Sequence, residues 1–253
     1  MKKPMSVLLC AALLACALPA LAAEEELPPL SIRWVEPAQP SMILSPRADG
    51  YVNVSVDTGK QDYRYGLMDA EGNLLVEPGY TYEVNPDGSR YTAPPAEEER
   101  ITRFWEGDKV GYKDDVTGEV LVEAIYDGGN VTMSEGMASV ELDGEKMVID
   151  QSGRVLFTHD YLNVWNFSEG LAMVENRQGL IGYVDASGRE VVPCTLDGIG
   201  YEFAGGLNVL YEDATGRQGI LKNPLNAGKV SGWAEAEVEE ARAELYREQA
   251  RSA

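Results

Sequence analysis

The sequence predicts an all-β fold made of about five similar antiparallel units, each a meander of three strands. Three observations lead to this prediction. Short apolar–polar alternations are separated by glycine-containing turns, as in half-buried strands. The same pattern recurs along the chain at an interval typical of repeat architectures. A final stretch with helical spacing then follows the last unit.

One complete unit runs from Phe167 to Thr195. Residues 168–170 form a turn, and residues 171–175 alternate between apolar and polar side chains. A second strand is predicted over residues 180–185 and a third over residues 190–193, each preceded by turn-forming residues. Nothing in this unit has the pattern of a catalytic motif.

Three markers recur in step along the chain. The first is a glycine followed three residues later by aspartate, one of the two being lost in two copies. Its copies begin at Gly66, Gly111, Met147, Gly182 and Gly219, which are 45, 36, 35 and 37 residues apart. The second marker is a glycine that opens the first strand, at Gly50, Gly136, Gly170 and Gly206. The third is a glycine turn after the aspartate, at 70–72, 115–118, 151–153 and 186–188.

A single unit of three short strands is too small to be stable alone, so the units are expected to stack and share a hydrophobic core. An open twisted array is the preferred arrangement, and a partial propeller is the alternative. The marker glycine inside the second strand is expected to mark a bulge or a close backbone contact.

Residues 1–22 are predicted to be a signal peptide, with basic Lys2 and Lys3, an apolar stretch and small residues before a cleavage site after Ala22. The alternative is a lipoprotein anchored through Cys16. Both interpretations place the protein in the cell envelope or outside the cell. No transmembrane span is expected after cleavage of the signal.

The chain is strongly acidic. It has 21 basic and 42 acidic residues, and removal of two signal-peptide lysines leaves a formal charge of 19 − 42 = −23. This charge argues against binding to nucleic acid or to anionic lipid head groups, which need a basic surface. Basic partners and divalent cations stay compatible with it.

Residues 23–47 are expected to be a leader strand or a tether, and a strand at 30–35 would pair with the first unit. The repeat domain is predicted over residues 48–222, with an insertion at 81–99 that carries the turn sequence Asn85–Gly88. Insertions in repeat arrays often lie on the binding face, although a tolerated surface loop is the commoner case.

Residues 223–253 are predicted to form a helix, with Ser231 as its N-cap. Its narrow apolar stripe consists of Ala234, Val238, Ala241 and Leu245. We expect this helix to cover the exposed end of the array, and partner binding is the alternative.

Catalytic, cofactor and metal sites are not predicted. His159 is the sole histidine and has no flanking nucleophile motif, so it is expected in a connection between two units. Cys194 is the one thiol left after signal cleavage, which excludes an internal disulfide and favours a small buried residue.

Carboxylates and aromatic rings suggest two kinds of ligand. The recurring aspartates are Asp69, Asp114, Asp150 and Asp185. They could line an edge that binds calcium, but a local role in the turn is favoured. Trp34, Trp105 and Trp165 could provide stacking platforms for sugars. Trp105 and Trp165 are not at equivalent repeat positions, and core packing is the commoner role of such rings.

The motifs resemble those of the WG-repeat (KWG-repeat) proteins of bacteria. The similarity lies in residues 167–172, 182–185 and 191–193 and extends over about residues 48–222. The tryptophan that gives the family its name is absent, and its place is taken by Tyr65, Val110, Lys146 or Met147, Ile181 and Gln218. The resemblance implies β-rich repeats in envelope or secreted proteins that mediate interactions, and it provides no catalytic residues.

The sequence therefore predicts a secreted or envelope-attached, non-catalytic protein that binds or scaffolds a protein or a cell-wall glycan. One rival function is a hydrolase of envelope polymers that uses paired carboxylates. The other is a purely structural spacer.

Overall fold

The computed structural model describes residues 30–36, 41–59, 61–94 and 100–226. Over these residues it is almost entirely β, with 19 strands and one short 3₁₀ turn at Pro224–Asn226. The predicted signal peptide, residues 95–99 of the insertion and the predicted C-terminal helix beyond residue 226 lie outside the described residues.

The strands form five antiparallel sheets. The first sheet contains β2 (Met42–Pro46), β3 (Val52–Asp57), β4 (Tyr63–Met68) and β5 (Leu74–Tyr80). The second contains β6 (Ile101–Glu106), β7 (Lys109–Asp114) and β8 (Val120–Tyr126). The third contains β9 (Gly128–Gly129), β10 (Met137–Leu142), β11 (Glu145–Asp150) and β12 (Val155–His159). The fourth contains β13 (Asn163–Ser168), β14 (Leu171–Glu175), β15 (Ile181–Asp185) and β16 (Glu190–Leu196). The fifth contains β17 (Gly198–Gly200), β18 (Leu207–Glu212), β19 (Gln218–Lys222) and β1 (Ile32–Val35).

The prediction of an all-β array of about five units is confirmed, but three strands per unit is too few. Four of the five sheets have a fourth strand. In all four of these sheets one strand precedes the opening turn, as β13 does in the fourth sheet. The register of β13 shifts between Val164 and Phe167. That irregularity interrupts the alternation by which a strand is recognised in sequence.

Strand β1 does not pair with the first unit, as was expected, but with β19 of the last. Ile32 is opposite Leu221, and Trp34 is opposite Gly219. A Cβ at position 219 would lie 2.9 Å from Cε3 of Trp34, so the indole ring packs closely over the glycine. The leader strand thereby covers an edge of the fifth sheet.

The predicted bulge at the in-strand glycine is confirmed. Ile181 is opposite Leu196 and Tyr183 is opposite Val192, so three residues of β16 face Gly182 alone. Gly66 and Gly111 are in the same arrangement. In the third sheet Met147 replaces the glycine, and β11 and β12 pair regularly there. In the pairing of β10 with β11, Lys146 is opposite Glu141, just as Ile181 is opposite Glu175 in the fourth sheet. Lys146 therefore occupies the position of the family tryptophan in the third sheet.

The opening turns join neighbouring units. Glu135 and Gly136 have φ angles of 51° and 73°, and Glu169 and Gly170 have angles of 53° and 81°. Two successive positive φ values define the type I′ hairpin turn. The Gly170 amide donates to Glu135 Oε2 at 3.0 Å, and the Gly206 amide donates to Glu169 Oε2 at 2.9 Å. Each glutamate therefore ties its own turn to the turn of the next unit.

Hydrophobic clusters also join neighbouring sheets. One cluster joins the second and third sheets, another joins the third and fourth, and a third joins the fourth and fifth. The fifth sheet packs against the first, and Leu44, Val54 and Val209 belong to the one buried cluster that they share. No cluster of the described residues joins the first sheet to the second. The array is therefore open at this point, which is also where the insertion lies.

Gln218 fixes the contact between the first and fifth sheets. Its buried side-chain amide accepts a hydrogen bond from the Leu44 amide at 2.7 Å and donates to the Met42 carbonyl at 2.7 Å. Both partners belong to β2, more than 170 residues away. Gln218, which replaces the family tryptophan in the last unit, thus provides hydrogen-bond partners for backbone groups of the first unit.

Candidate functional site

A cleft of about 980 Å³ lies where the first unit meets the fourth and fifth. Its walls come from the end of β2 and the turn after it, the insertion hairpin, the β13–β14 turn and residues 201–205. This volume is at the upper end of the range typical of ligand sites. We refer to it as the inter-unit cleft.

One wall of the inter-unit cleft is held by the buried side chain of Arg47. Its guanidinium makes two hydrogen bonds to the Asp49 carboxylate and donates from Nη1 to the Val84 carbonyl at 2.6 Å. It also lies 3.5 Å from the centroid of the Tyr91 ring. The charge of Arg47 is thereby neutralised, and the insertion hairpin is fastened to the first unit.

The polar groups of the cleft are mainly acceptors. Asn53 is only 4% exposed, and its Nδ2 donates to Glu83 Oε1 at 3.2 Å. Its Oδ1 has no hydrogen-bond partner. Glu169 and Glu202 also line the cleft, on the side of the fourth and fifth units. An unpaired acceptor in so buried a side chain is unusual in a native protein and needs an explanation.

Exposed aromatic and apolar side chains recur at one repeat position, and one of them lines the cleft. Val131, Trp165 and Tyr201 each lie five residues before the glycine that opens a first strand. They are 64%, 36% and 42% exposed, and Tyr201 lines the cleft. Trp165 is indeed not equivalent to Trp105, but it is equivalent to Tyr201. The tryptophan positions alone do not reveal this equivalence, because the units share an exposed position and not a residue type.

The family is decided by a comparison of the sequence with family models. A model described as "WG containing repeat" matches residues 111–145, 147–178 and 181–207. The chain is a WG-repeat-containing protein. The matched segments fall on the second to fifth sheets of this WG-repeat protein. The first sheet, outside the matched segments, has the same strand order and the same glycine bulge as the fourth.

Solved structures give only distant similarities. The crystal structure of BamB from Moraxella catarrhalis is 11% identical, with coverage of 68% of this chain and 55% of that chain and a TM-score of 0.34. The WD40 β-propeller domain of Doa1 is 12% identical, with coverage of 74% and 80% and a TM-score of 0.28. The WG-repeat protein thus spans just over half of BamB, and both TM-scores are low.

Neither a curated relative nor a membrane-spanning helix was found. A search of curated proteins found no match to the WG-repeat protein. Within residues 30–36, 41–59, 61–94 and 100–226, no helix is long and apolar enough to cross a membrane.

His159 is not in a connection, as was expected, but is the last residue of β12. Its Nε2 lies 3.3 Å from Ser139 Oγ, and its buried Nδ1 has no hydrogen-bond partner. Burial, together with the nearby charge of Lys146, lowers the pKa of His159 to about 4. A Ser–His pair acts as nucleophile and base when a third group orients the imidazole, and among the described residues no such group contacts Nδ1.

The recurring aspartates have the turn role that was favoured for them. Asp185 Oδ1 accepts hydrogen bonds from the backbone amides of Ser187 and Arg189, and its Oδ2 accepts one from Arg189 Nε. Asp150 has the same partners in its own turn. Hydrogen bonds, the largest from the Ser152 hydroxyl, lower the pKa of Asp150 to about 2. The described part of the chain contains no group of three or more metal-ligating side chains.

Cys194 was expected to be buried, but the structure shows it free and half-buried at the glycine bulge of the fourth sheet. Burial, and then the nearby carboxylate of Glu190, raise the pKa of its thiol to about 11. A thiol with so high a pKa is a poor nucleophile at neutral pH.

Proposed function

We propose that this WG-repeat protein is a non-catalytic binding or scaffolding module that acts outside the cytoplasm. Its ligand site is the inter-unit cleft, and its ligand is a protein or a cell-wall glycan. A repeat array is well suited to this role, because its rigid units hold loops and turns in fixed positions around a shared surface.

The observation that carries the proposal is the composition of the cleft. It combines an exposed ring at Tyr201, three carboxylates and the unpaired Oδ1 of the buried Asn53. Concave sites with a few polar groups that point inward are the usual ligand sites of proteins. The cleft also lies beside the insertion, as binding surfaces of repeat proteins often do.

Action outside the cytoplasm rests on the sequence of residues 1–22. Mass spectrometry of the mature N-terminus tests it directly. A chain that begins at Ala23 would indicate a secreted protein, and a lipid on Cys16 would indicate an anchored one. An intact Met1 on protein purified from the native cell would contradict the proposal.

Site-specific photo-cross-linking tests the cleft as the ligand site. A photoreactive phenylalanine analogue at Tyr201 is expected to form adducts with an envelope component. The same analogue at Tyr63, a control of similar exposure on the first sheet, is expected to form none. Equal yields at both positions, or none at either, would contradict the proposal, and the second result would favour a spacer.

The rival hydrolase makes a different prediction. It would release soluble fragments from purified cell wall, and this release would be lost when Glu83 and Glu169 are changed to glutamine. The binding module is expected to retain the ligand without releasing fragments from it.

A further inference from the structure

We infer that the inter-unit cleft binds a cationic side chain, arginine or lysine, on an exposed segment of a partner polypeptide. This inference rests on the proposed function and specifies the ligand. The described lining residues are acidic in excess, they offer an acceptor that lacks a donor, and they include a ring on which a cation stacks.

The charge balance of the cleft favours a cation. Arg47 is the one basic residue among the described lining residues, and its charge is neutralised by Asp49. Glu83 and Glu169 have no ion pair among the described residues and leave an excess of negative charge. The formal charge of the whole chain, −21, has the same sign and would speed the approach of a basic partner.

Hydrogen bonding points the same way. Nδ2 of Asn53 donates to Glu83. Its Oδ1 has no partner and, as an amide oxygen, can only accept a hydrogen bond. Guanidinium and ammonium groups have donors and no acceptors, and they therefore match Oδ1 and the carboxylates of the cleft. A sugar hydroxyl can also donate to these acceptors, but it carries no charge to balance the carboxylates. The Arg47 guanidinium already uses three of its five N–H groups within the protein.

The aromatic groups complete the site. Arg47 stacks on Tyr91 in one wall, which shows that this wall holds a guanidinium against a ring. The exposed ring of Tyr201 offers a second surface of the same kind. A cation over a tyrosine ring is stabilised by the negative face of the ring. These features favour a basic polypeptide over a glycan.

Titration of the ¹⁵N-labelled protein with two peptides tests the inference. The first peptide is Gly-Ala-Ala-Arg-Ala-Ala-Gly with both ends blocked, and the second has the neutral isostere citrulline in place of arginine. We expect the arginine peptide to shift the amide signals of Asn53, Glu83 and Glu169. We expect the citrulline peptide to bind at least about tenfold more weakly, as the loss of charge-assisted hydrogen bonds implies.

Two variants separate the cleft from the general acidity of the chain. Glu83→Gln keeps an acceptor for Asn53 but removes the charge, and it is expected to weaken arginine-peptide binding about fivefold or more. Glu123→Gln removes an exposed carboxylate of β8, away from the cleft, and is expected to leave binding unchanged within about twofold. Equal weakening by both variants would overturn the inference in favour of non-specific attraction.

A neutral sugar, chitotetraose, is the third probe. Shifts of the cleft signals with the sugar and not with the arginine peptide would overturn the inference but leave the cleft as a binding site. If neither probe shifts these signals, and cross-linking at Tyr201 also fails, the proposed function falls with it. Equal binding of the arginine and citrulline peptides would also overturn the inference, since the cation would then contribute nothing.

Discussion

The bulge over Gly182 provides a direct test of the repeat geometry. In Gly182→Ala the new Cβ would lie 2.6 Å from the Val192 carbonyl oxygen and 2.8 Å from both the amide nitrogen and the Sγ of Cys194. Ordinary contacts begin at 3.4 Å, so the backbone of β16 has to move by about 0.8 Å. Such overpacking costs about 1–3 kcal/mol. The reduced freedom of the unfolded chain returns only about 0.4–1 kcal/mol.

We therefore expect Gly182→Ala to lower the free energy of unfolding by about 1–2 kcal/mol, measured by urea denaturation with tryptophan fluorescence and circular dichroism. Gly128→Ala is the matched control. Gly128 is also a strand glycine without a positive φ, but nothing lies within 4 Å of its added Cβ. It should be neutral or stabilising by up to about 1 kcal/mol. A Gly182→Ala protein as stable as the control would refute the close approach.

Three further predictions concern other parts of the array. Trp34→Ala should lower the free energy of unfolding by about 1–3 kcal/mol, because its half-buried ring packs over Gly219, and faster amide exchange in β19 should accompany the loss, because β1 covers that edge. Glu169→Ala should cost about 1–2 kcal/mol, since the Gly206 amide loses its acceptor, whereas Glu169→Gln should cost less; an equal loss in both would argue against this hydrogen bond. The pKa of His159 is lower in the folded state, at about 4, than its ordinary value, so the unfolded state binds the proton first as the pH falls. Stability should consequently decrease from about pH 6.5 to about pH 4, and His159→Phe should flatten that part of the curve in urea midpoints measured from pH 7 to pH 4.

Local features of this fold could be predicted from the sequence, because neighbouring residues determine them. The glycine bulges follow from Gly66, Gly111 and Gly182, and the aspartate turns follow from short spacings. The fourth strand was missed for an equally local reason. In β13 the irregular register around Trp165 interrupts the alternation that marks a strand.

Long-range features could not be predicted in this way. The pairing of β1 with β19, and the packing of the first unit on the fifth, join the two ends of the chain. Two signals in the last unit point to this contact in retrospect. Gly205 replaces the glutamate of the other turns, because a Cβ there would lie 2.4 Å from the Arg47 carbonyl oxygen. Gln218 replaces the family tryptophan, because it binds the backbone of β2.

The candidate site depends on that same long-range contact. Arg47 and Asn53 come from the first unit, and Glu169 and Tyr201 come from the fourth and fifth. No spacing in the sequence relates these residues, because the cleft exists only once the first unit has packed against the last. The acidic charge and the insertion indicated a binding surface, but they did not indicate its position.

Nuclear Overhauser contacts of the Gln218 side chain test this arrangement most directly. If the first unit packs on the fifth, the two amide protons of Gln218 will show strong contacts to the backbone amide of Leu44 and to the protons around the Met42 carbonyl. If Gln218 shows no contact to β2, and Leu44 instead contacts residues of the second sheet, the order of the units is wrong and the cleft does not exist as described.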